Sequence, residues 1–262
     1  MVQRELRRSA HVDDIVEGGE ARAIHGVEDV DHGRNLADFR ASGGFRGGAI
    51  AVAGSQDYAF DPRNDRALVW LNGDLLHREE ARVSIFDAGF SMGDGVWEGL
   101  RLHKGALLFL EAHLDRLFAG AAAIGLAIGL DRARIEAALR RTVEANAMTD
   151  GVHIRLMVTR GLKATINQDP RNALGRPTVA VVAEYKAPAV ADAGLALRTV
   201  SVRCTPAHMF DMRLNSHSRL NLIIALNEAI AAGADEALML DPAGFVSSCN
   251  ATNAFFARGG AV

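Results

Sequence analysis

The change of hydrophobic period near Glu111 is the sequence feature that most limits the folds open to this chain. Before it, residues 100–102 and 106–110 flank His103-Lys104-Gly105, which predicts two strands joined by a tight turn. After it, apolar residues recur at three- and four-residue steps, as in an amphipathic helix. These residues are Leu110, Leu114, Leu117, Ala121 and Ile124. The change of period therefore predicts a pair of strands followed by an amphipathic helix.

The flanking sequence extends this pattern. Residues 67–71 form an apolar run into Asn72-Gly73, a pair typical of hairpin turns. Asp131 is placed to cap a second helix. Residues 152–159 alternate as a half-buried strand, and residues 179–183 predict a buried strand after a loop rich in Gly and Pro.

The C-terminal part predicts a second group of elements. Residues 195–202 form a strand candidate, and a helix over 220–232 is expected to end at Gly233. Strands are expected at 236–240 and from Phe245, on either side of a turn. Residues 253–257 predict a strand that finds no partner downstream.

The domain organisation follows from where these patterns begin and break. Residues 1 to about 48 carry neither a helical stripe nor strand alternation, which favours a disordered tail over an arm that docks on a partner. Residues 188–193 resemble a linker. We therefore expect a tail at 1–66, a smaller α+β domain at 67–188 and an incomplete second domain at 189–262.

Charge and composition exclude several functions. The chain has 29 Lys and Arg residues against 32 Asp and Glu, a net charge of −3, and shows no basic stripe that would attract nucleic acid. Its apolar runs are too short to span a bilayer, and no secretory signal follows the charged start. Cys204 and Cys249 match no metal or redox spacing. We expect a cytoplasmic protein.

Residues 84–101 are dense in glycine, with Gly89, Gly93, Gly95 and Gly99. Glycine at this density permits close approach of a ligand or of a neighbouring strand. From spacing alone, a tightly packed structural sheet is the favoured interpretation.

Three other segments carry polar side chains suited to chemistry. Arg116, near the start of the first helix, can grip a phosphate or carboxylate, although a solvated helix arginine is commoner. His217 precedes the apolar helix, where Ser218 is a candidate N-cap, and can transfer protons or simply be structural. Residues 245–256 hold small polar groups that suit a ligand or a hydrogen-bonded turn.

Taken together, these segments resemble the class IV, pyridoxal-phosphate-dependent aminotransferases, from about Leu68 to the end of the chain. The motifs that carry the resemblance, in order, are Phe86-Asp-Ala-Gly-Phe90, Gly93-Asp-Gly-Val-Trp-Glu-Gly-Leu-Arg101, His113-Leu-Asp-Arg-Leu117, Gly233-Ala-Asp-Glu-Ala-Leu-Met-Leu-Asp241, and Gly244-Phe-Val with Asn253-Ala-Phe255.

The resemblance implies a two-domain α/β fold, truncated here at the C-terminus, and usually a homodimer. It implies pyridoxal 5'-phosphate as cofactor, and an amino acid and a 2-oxo acid, such as the branched-chain ones, as substrates. Arg116 would contact the cofactor phosphate and Trp97 would line the substrate pocket. The resemblance places Ser248, Asn250 and Thr252 among the cofactor contacts.

This sequence departs from the family at decisive positions. Counting back from Gly233, the family's cofactor-bonding lysine falls on Asn215, whose amide cannot make that bond. The carboxylate expected to pair with the cofactor ring falls on Ser248. The phosphate-binding Gly-Ile-Thr loop of the family does not appear before Val262. These departures predict a degenerate active site with slow or absent amino transfer.

Three interpretations stay open. The chain is an aminotransferase of doubtful activity, a non-catalytic remnant that binds a ligand or a dimer partner, or an enzyme that works without lysine and uses His217 as its base. Lys163 is the one lysine expected near the substrate, because the family's corresponding loop reaches toward the substrate carboxylate. Lys104 and Lys186 are expected to be solvated.

Overall fold

The computed structural model describes residues 61–186 and 194–257, together with Gln56, and these belong to one compact unit. A short 3-10 helix, Pro62–Arg66, lies within the predicted tail, and its Asn64 is buried. The Asn64 amide donates to the Tyr185 carbonyl at 3.0 Å. The tail boundary predicted at 66 is therefore too late, because residues 62–66 dock onto the sheet. Apart from Gln56 and Asp61, the rest of the tail lies outside the described residues, as does the linker predicted at 188–193, so the two-domain division stays a prediction.

Six strands form one antiparallel sheet in the order β2-β1-β6-β5-β3-β4. Their bounds are β1 Leu68–Leu71, β2 Asp74–His77, β3 Gly95–His103, β4 Ala106–Leu107, β5 Val152–Thr159 and β6 Thr178–Tyr185. The long strands β3 and β5 pair along their whole lengths, with Trp97 opposite Met157 and Gly99 opposite Arg155. This pairing fixes which side chains share a face.

Helices cover one face of this sheet. After the single-turn helix α1 (Ala88–Met92), the helices α2 (Leu110–Ala123) and α3 (Arg132–Ala145) pack their apolar stripes on the core-facing residues of the strands. The largest fully buried side chains include Leu100, Ile154 and Leu156 from the strands with Leu114 and Leu139 from the helices. Burial of an aliphatic side chain of this size contributes about 1.5–3 kcal/mol, so this layer anchors the fold.

The opposite face of β3 and β5 is only half-buried. Alternation places Trp97, Gly99 and Arg101 of β3 on this face beside His153 and Arg155 of β5. The face carries cations and an aromatic ring, so it differs in character from the aliphatic core.

A second sheet has three strands, β7 (Leu197–Thr199), β8 (Glu236–Leu240) and β9 (Val246–Cys249). Strand β7 runs parallel to β8, and helix α4 (Leu220–Ala231) connects them. A small core forms where α4 meets β8, from Ala225, Ala229, Ala237 and Met239. Within the described ranges, no helix is long and apolar enough to cross a membrane.

Several sequence predictions are confirmed. Asn72 and Gly73 turn the β1–β2 hairpin with positive φ. The Asp131 carboxylate accepts from the Arg134 amide at 2.8 Å and caps α3. Gly233 follows α4 with φ +76°.

Three other predictions are wrong. The strand expected over 106–110 ends at Leu107, because α2 takes over at Leu110. Ser218 does not cap α4: Arg219 occupies that position, and the Ser218 hydroxyl donates to the Gly93 carbonyl at 3.3 Å. Residues 253–257 form no strand, because no described segment pairs with them.

Candidate active site

A cavity of about 580 Å³ opens on the half-buried face of the six-stranded sheet. Trp97 of β3 and Arg155 and Met157 of β5 supply the sheet side of its lining. Other walls come from the chain around the start of α4 and from residues 247–253 at the end of β9. Both sheets therefore contribute to a single cavity.

The docking segment, residues 214–218, crosses the end of β3 and carries two of the predicted site residues. The Trp97 amide donates to the Asn215 carbonyl and the His217 amide donates to the Gly95 carbonyl, each at 3.0 Å. The Trp97 indole also donates to the Ser216 carbonyl at 3.0 Å. Backbone bonds thus hold Asn215 and His217 at the cavity wall.

Glycines make this crossing sterically feasible. A Cβ on Gly95 would lie 2.5 Å from the Val158 carbonyl oxygen and 2.6 Å from the His217 ring, and one on Gly120 would lie 2.9 Å from the Leu214 carbonyl oxygen. A Cβ on Gly93 would lie 2.6 Å from the Ser218 hydroxyl. Glycine density here serves the packing of chain on chain, which supports the structural interpretation favoured from spacing.

The Asn215 side chain is committed to the protein. Its backbone adopts the left-handed conformation, with φ 50° and ψ 47°, which Asn tolerates better than most residues do. Its amide nitrogen donates to the Trp97 carbonyl at 2.6 Å, and its amide oxygen accepts from the Arg219 guanidinium. Asn215 therefore braces the docking segment.

His217 brings an imidazole to the cavity. Burial is the main cause that lowers its pKa, the charges of Arg155 and Arg219 lower it further, and a hydrogen bond with the Val96 backbone opposes the shift. Burial therefore favours the neutral form of the ring. Its buried Nε2 has no hydrogen-bond partner in the structure.

The predicted polar contacts from the second sheet line the same cavity. The Ser248 hydroxyl donates to the Thr252 carbonyl at 3.3 Å, and the Thr252 hydroxyl donates to buried Glu236, also at 3.3 Å. Asn250 uses its side-chain oxygen to accept from the Ala237 amide at 2.8 Å. Ser248 and Thr252 thus keep hydroxyl groups at the cavity, whereas Asn250 mainly ties the end of β9 to β8.

Sequence reasoning missed two arginines at the centre of the cavity. The Arg155 guanidinium carbon lies 3.7 Å from the centroid of the Trp97 ring, and that of Arg219 lies 5.2 Å from it. Both distances fall within the cation–π range. Two sequence signals could have found them. Strand alternation puts Arg155 on the same face as Trp97, and Arg219 lies beside His217 in the polar segment before the apolar helix.

Arg116 does not line the cavity. Its Nε and Nη2 donate to the Glu98 carboxylate at 2.7 and 2.6 Å, and His113 Nδ1 lies 2.7 Å from the same group. The Glu98 side chain is fully buried, and its hydrogen bond is the main cause that raises the pKa of Arg116. Glu98 lies within the Gly93–Arg101 motif, and the motif alone assigns it no role.

Lys163 is placed differently from the prediction. Its side chain is buried, and its Nζ donates to the Asn167 carbonyl and, at 3.0 Å, to the Asp169 carbonyl. The ammonium holds together the loop that follows Lys163, and these hydrogen bonds occupy donors that a substrate contact would need. The chain has three lysines, all of them in the described ranges, and none lines the cavity.

Comparison with known proteins identifies the family. The family model described as Amino-transferase class IV matches residues 95–262, which include strands β3 to β9 and most of the cavity lining. The chain belongs to the class IV aminotransferases.

Class IV relatives resemble it in sequence over about three quarters of its length. Branched-chain-amino-acid aminotransferase-like protein 1 of Arabidopsis thaliana is 40% identical over 77% of this chain and 36% of its own. A putative branched-chain-amino-acid aminotransferase of Methanocaldococcus jannaschii is 35% identical over 73% of this chain and 66% of its own. The chain thus spans between about a third and two thirds of the length of these two relatives.

Solved class IV structures share the fold. A T.th. branched-chain amino acid aminotransferase, in complex with N-(5'-phosphopyridoxyl)-L-glutamate, superposes with a TM-score of 0.64. It is 29% identical and covers 71% of this chain and 62% of its own. The enzyme from Thermoproteus uzoniensis with norvaline gives a TM-score of 0.63 and 28% identity, over 70% of this chain and 63% of its own. These matches confirm the predicted class IV fold.

The docking of the segment on β3 predicts a steric effect at Gly95. We expect Gly95→Ala to lower the free energy of unfolding by about 1–3 kcal/mol, because the new Cβ collides with the Val158 carbonyl and displaces His217. Urea unfolding followed by tryptophan fluorescence measures this loss. The matched control is Gly99→Ala on the same strand, whose Cβ would meet side chains alone, the end of His153 at 3.2 Å and the Trp97 ring at 3.5 Å. Equal losses in both variants would contradict the steric argument.

The buried Glu98 predicts a second stability difference. We expect Glu98→Ala to cost about 3 kcal/mol, because Arg116 and His113 lose the carboxylate that pairs with both. Thermal and urea unfolding report the change. Glu136→Ala removes the partly exposed Arg140–Glu136 pair of α3 and is expected to cost less than about 1 kcal/mol. A Glu98→Ala protein as stable as the control would show that the bonds of Glu98 to Arg116 and His113 contribute little to stability.

Proposed function

We propose that this class IV aminotransferase-like protein takes pyridoxal 5'-phosphate reversibly into the cavity, without a covalent bond, together with an amino acid or a 2-oxo acid. The observation that carries the proposal is the lining of the cavity, where Asn215 stands and no lysine side chain reaches. A covalent bond to an aldehyde needs a primary amine, and a carboxamide does not supply one.

The residues present fit such a ligand in one respect and fail in another. Cationic Arg155 and Arg219, and the buried unpaired Nε of Arg219, suit a phosphate or a carboxylate. Asn215 does not suit covalent attachment. When bound, pyridoxal phosphate supplies an aldehyde and an electron-withdrawing ring, the chemistry by which an amino group is taken up and returned.

Each of the candidate site residues has a specific role in this proposal. Trp97 offers an aromatic surface against which a planar ring can pack. The Ser248 and Thr252 hydroxyls orient polar ligand atoms, but Ser248 cannot hold a ring nitrogen in its protonated form as a carboxylate does. Arg116 does not contact the ligand in this proposal, because two of its nitrogens already donate to Glu98. We therefore propose that amino transfer is slow or absent.

His217 supports a second candidate function, chemistry that works without lysine. Its neutral imidazole stands at the cavity with a free Nε2, as a general base requires. In this alternative His217 accepts the substrate proton that lysine takes in other members of the family. Loss of catalysis altogether, with ligand binding retained, is the third candidate and needs no base.

The substrate class follows from relatives alone. Two relatives are named for branched-chain amino acids, and the structure from Thermoproteus uzoniensis contains norvaline, so we propose an aliphatic amino acid or its 2-oxo acid. We also propose a cytoplasmic location, to which the free cysteines Cys204 and Cys249 are suited, and the two-domain division near residue 188.

The main proposal predicts the result of borohydride trapping. After incubation with pyridoxal phosphate and borohydride, mass spectrometry is expected to show no specific adduct on Lys104, Lys163 or Lys186, while equilibrium dialysis shows reversible binding. A stoichiometric adduct on any of them, together with rapid amino transfer, would overturn the proposal. Asn215→Lys is expected to gain an adduct at position 215, at a stability cost of about 1–2 kcal/mol for a left-handed lysine.

We further propose a homodimer that buries the apolar surface around α1. Val83, Ile85, Phe86, Phe90 and Leu162 are all exposed there. An exposed apolar patch of this kind marks an association surface.

The dimer proposal predicts a change in mass in solution. Phe90 is 70% exposed, and Phe90→Asp is expected to shift the sedimentation coefficient from dimer to monomer, because a charge would be buried at the interface. Phe109→Asp is the control, since Phe109 is 79% exposed at the N-cap of α2, where Asp is tolerated. A Phe90→Asp protein that still sediments as a dimer would place the interface elsewhere.

A further inference from the structure

We propose that Asp94 and Arg160 are positioning residues: their ion pair fixes the turn on which the docking segment binds, and so sets where Asn215 and His217 stand at the cavity. This inference deepens the proposed function, on which it rests, because it concerns how the same cavity is built. The described residues that line the cavity do not include Asp94 or Arg160, so the pair acts through the backbone rather than by contact with a ligand.

The Arg160 guanidinium joins three segments of the chain. Its Nε and Nη2 donate to the two carboxylate oxygens of Asp94 at 2.6 and 3.0 Å. Its Nη1 donates to the Gly125 carbonyl at 2.8 Å, and Nη2 also donates to the Ile124 carbonyl at 2.9 Å. These two carbonyls directly follow the last residue of α2, and Arg160 directly follows β5. The side chain therefore ties the turn before β3 to the end of a helix and to the end of a strand.

This geometry leaves the ion pair little freedom. The Arg160 side chain is 13% exposed and that of Asp94 is 25% exposed, so both are mostly shielded from water. A guanidinium that makes two parallel bonds to a carboxylate has a fixed orientation, which an ammonium group lacks. The backbones are joined as well, because the Arg160 amide donates to the Asp94 carbonyl and the Asp94 amide donates to the Ala88 carbonyl, each at 3.2 Å. Asp94 is thus held by α1, by the end of β5 and, through Arg160, by the end of α2.

The residues on either side of Asp94 receive the docking segment. The Gly93 carbonyl accepts from the Ser218 hydroxyl at 3.3 Å, and the Gly95 carbonyl accepts from the His217 amide at 3.0 Å. Each of these acceptors is one residue away from the carboxylate that the guanidinium holds. Fixing Asp94 therefore fixes both acceptors, and with them the backbone of His217.

The position of this turn matters because the crossing leaves little free space. A Cβ on Gly95 would lie 2.5 Å from the Val158 carbonyl oxygen and 2.6 Å from the His217 ring, so the docking segment and β3 are already in close contact. A functional site needs its residues held within about 0.5 Å of the productive geometry. A displaced turn would loosen the docking segment and move Asn215 and His217 at the cavity wall.

Amide hydrogen exchange of the full chain tests the inference without any ligand. The docking bonds protect the amides of Trp97 and His217, each of which donates across the crossing at 3.0 Å. In Asp94→Asn and in Arg160→Lys we expect these two amides to exchange about tenfold faster or more, because the changed pair no longer holds the turn and local opening becomes easier. Amides in the paired centre of β5 and β6 are expected to exchange as in the original protein.

Tryptophan fluorescence gives an independent readout. The Trp97 indole donates to the Ser216 carbonyl of the docking segment at 3.0 Å, and Trp70→Phe removes the only other tryptophan. In that background, Arg160→Lys is expected to raise the acrylamide quenching constant of Trp97 about twofold or more, because local opening exposes the ring. The double variant with Asp94→Asn is expected to match the single variants, since residues that act as one unit are not additive.

The control is Arg78→Lys, which follows β2 at the edge of the sheet opposite to β3 and β4. Arg78 also donates to a backbone carbonyl, that of Asn64 at 2.8 Å, and it pairs with Glu184 at 3.6 Å while only 25% of its side chain is exposed. This variant loses a comparable set of contacts away from the docking segment. It is expected to leave the exchange of the Trp97 and His217 amides unchanged.

The inference would be overturned if Asp94→Asn and Arg160→Lys lost stability in urea but kept the original exchange at Trp97 and His217 and the original quenching. The pair would then hold the fold together without positioning the docking segment. If one variant fails to fold, the other decides, and failure of both would assign the pair to global stability and also overturn the inference. A lack of pyridoxal phosphate binding by the original protein would refute the proposed function alone, because neither readout uses a ligand.

Discussion

The docking of residues 214–218 on the end of β3 is the interaction on which the candidate site depends. Three hydrogen bonds of 3.0 Å join the Trp97 and Gly95 region of the first sheet to the chain that leads into α4. The crossing is sterically feasible only because Gly95 and Gly120 carry no Cβ at the points of closest approach. Without it, the residues of β3 and β5 and those of the second sheet would not line one cavity.

The same docking explains why Asn suits position 215. The backbone there is left-handed, and the carboxamide bonds to Trp97 at one end and to Arg219 at the other. A lysine would lose both bonds and would add backbone strain. Asn215 therefore stabilises the docking segment, and Arg219, about one helical turn further along the chain, brings a cation to the cavity.

The sequence predicted the elements better than the contacts between them. Periodicity located β5, β8 and the long helices, and Asn72-Gly73, Asp131 and Gly233 marked their turns and ends, because these signals are local. Lys163 was misplaced, since only the folded loop shows that nearby carbonyls bind its ammonium. The pairing of Arg155 with Trp97 was missed, because it depends on the register between β3 and β5.

The arginines of this protein lie in two different environments, one that suits a structural role and one that suits ligand binding. Arg116 meets a fully buried carboxylate, which neutralises its charge and binds two of its nitrogens, so this residue mainly holds α2 to β3. Arg155 and Arg219 share the aromatic face of Trp97, and neither forms an ion pair with a described carboxylate, although the charge of Glu98 acts on Arg219 from a distance. A charge already neutralised by the fold gains little from a ligand, whereas an unneutralised pair in a cavity gains most from an anion. We therefore propose that a ligand is bound by the arginines at the cavity rather than by Arg116, the one that the family motif singles out.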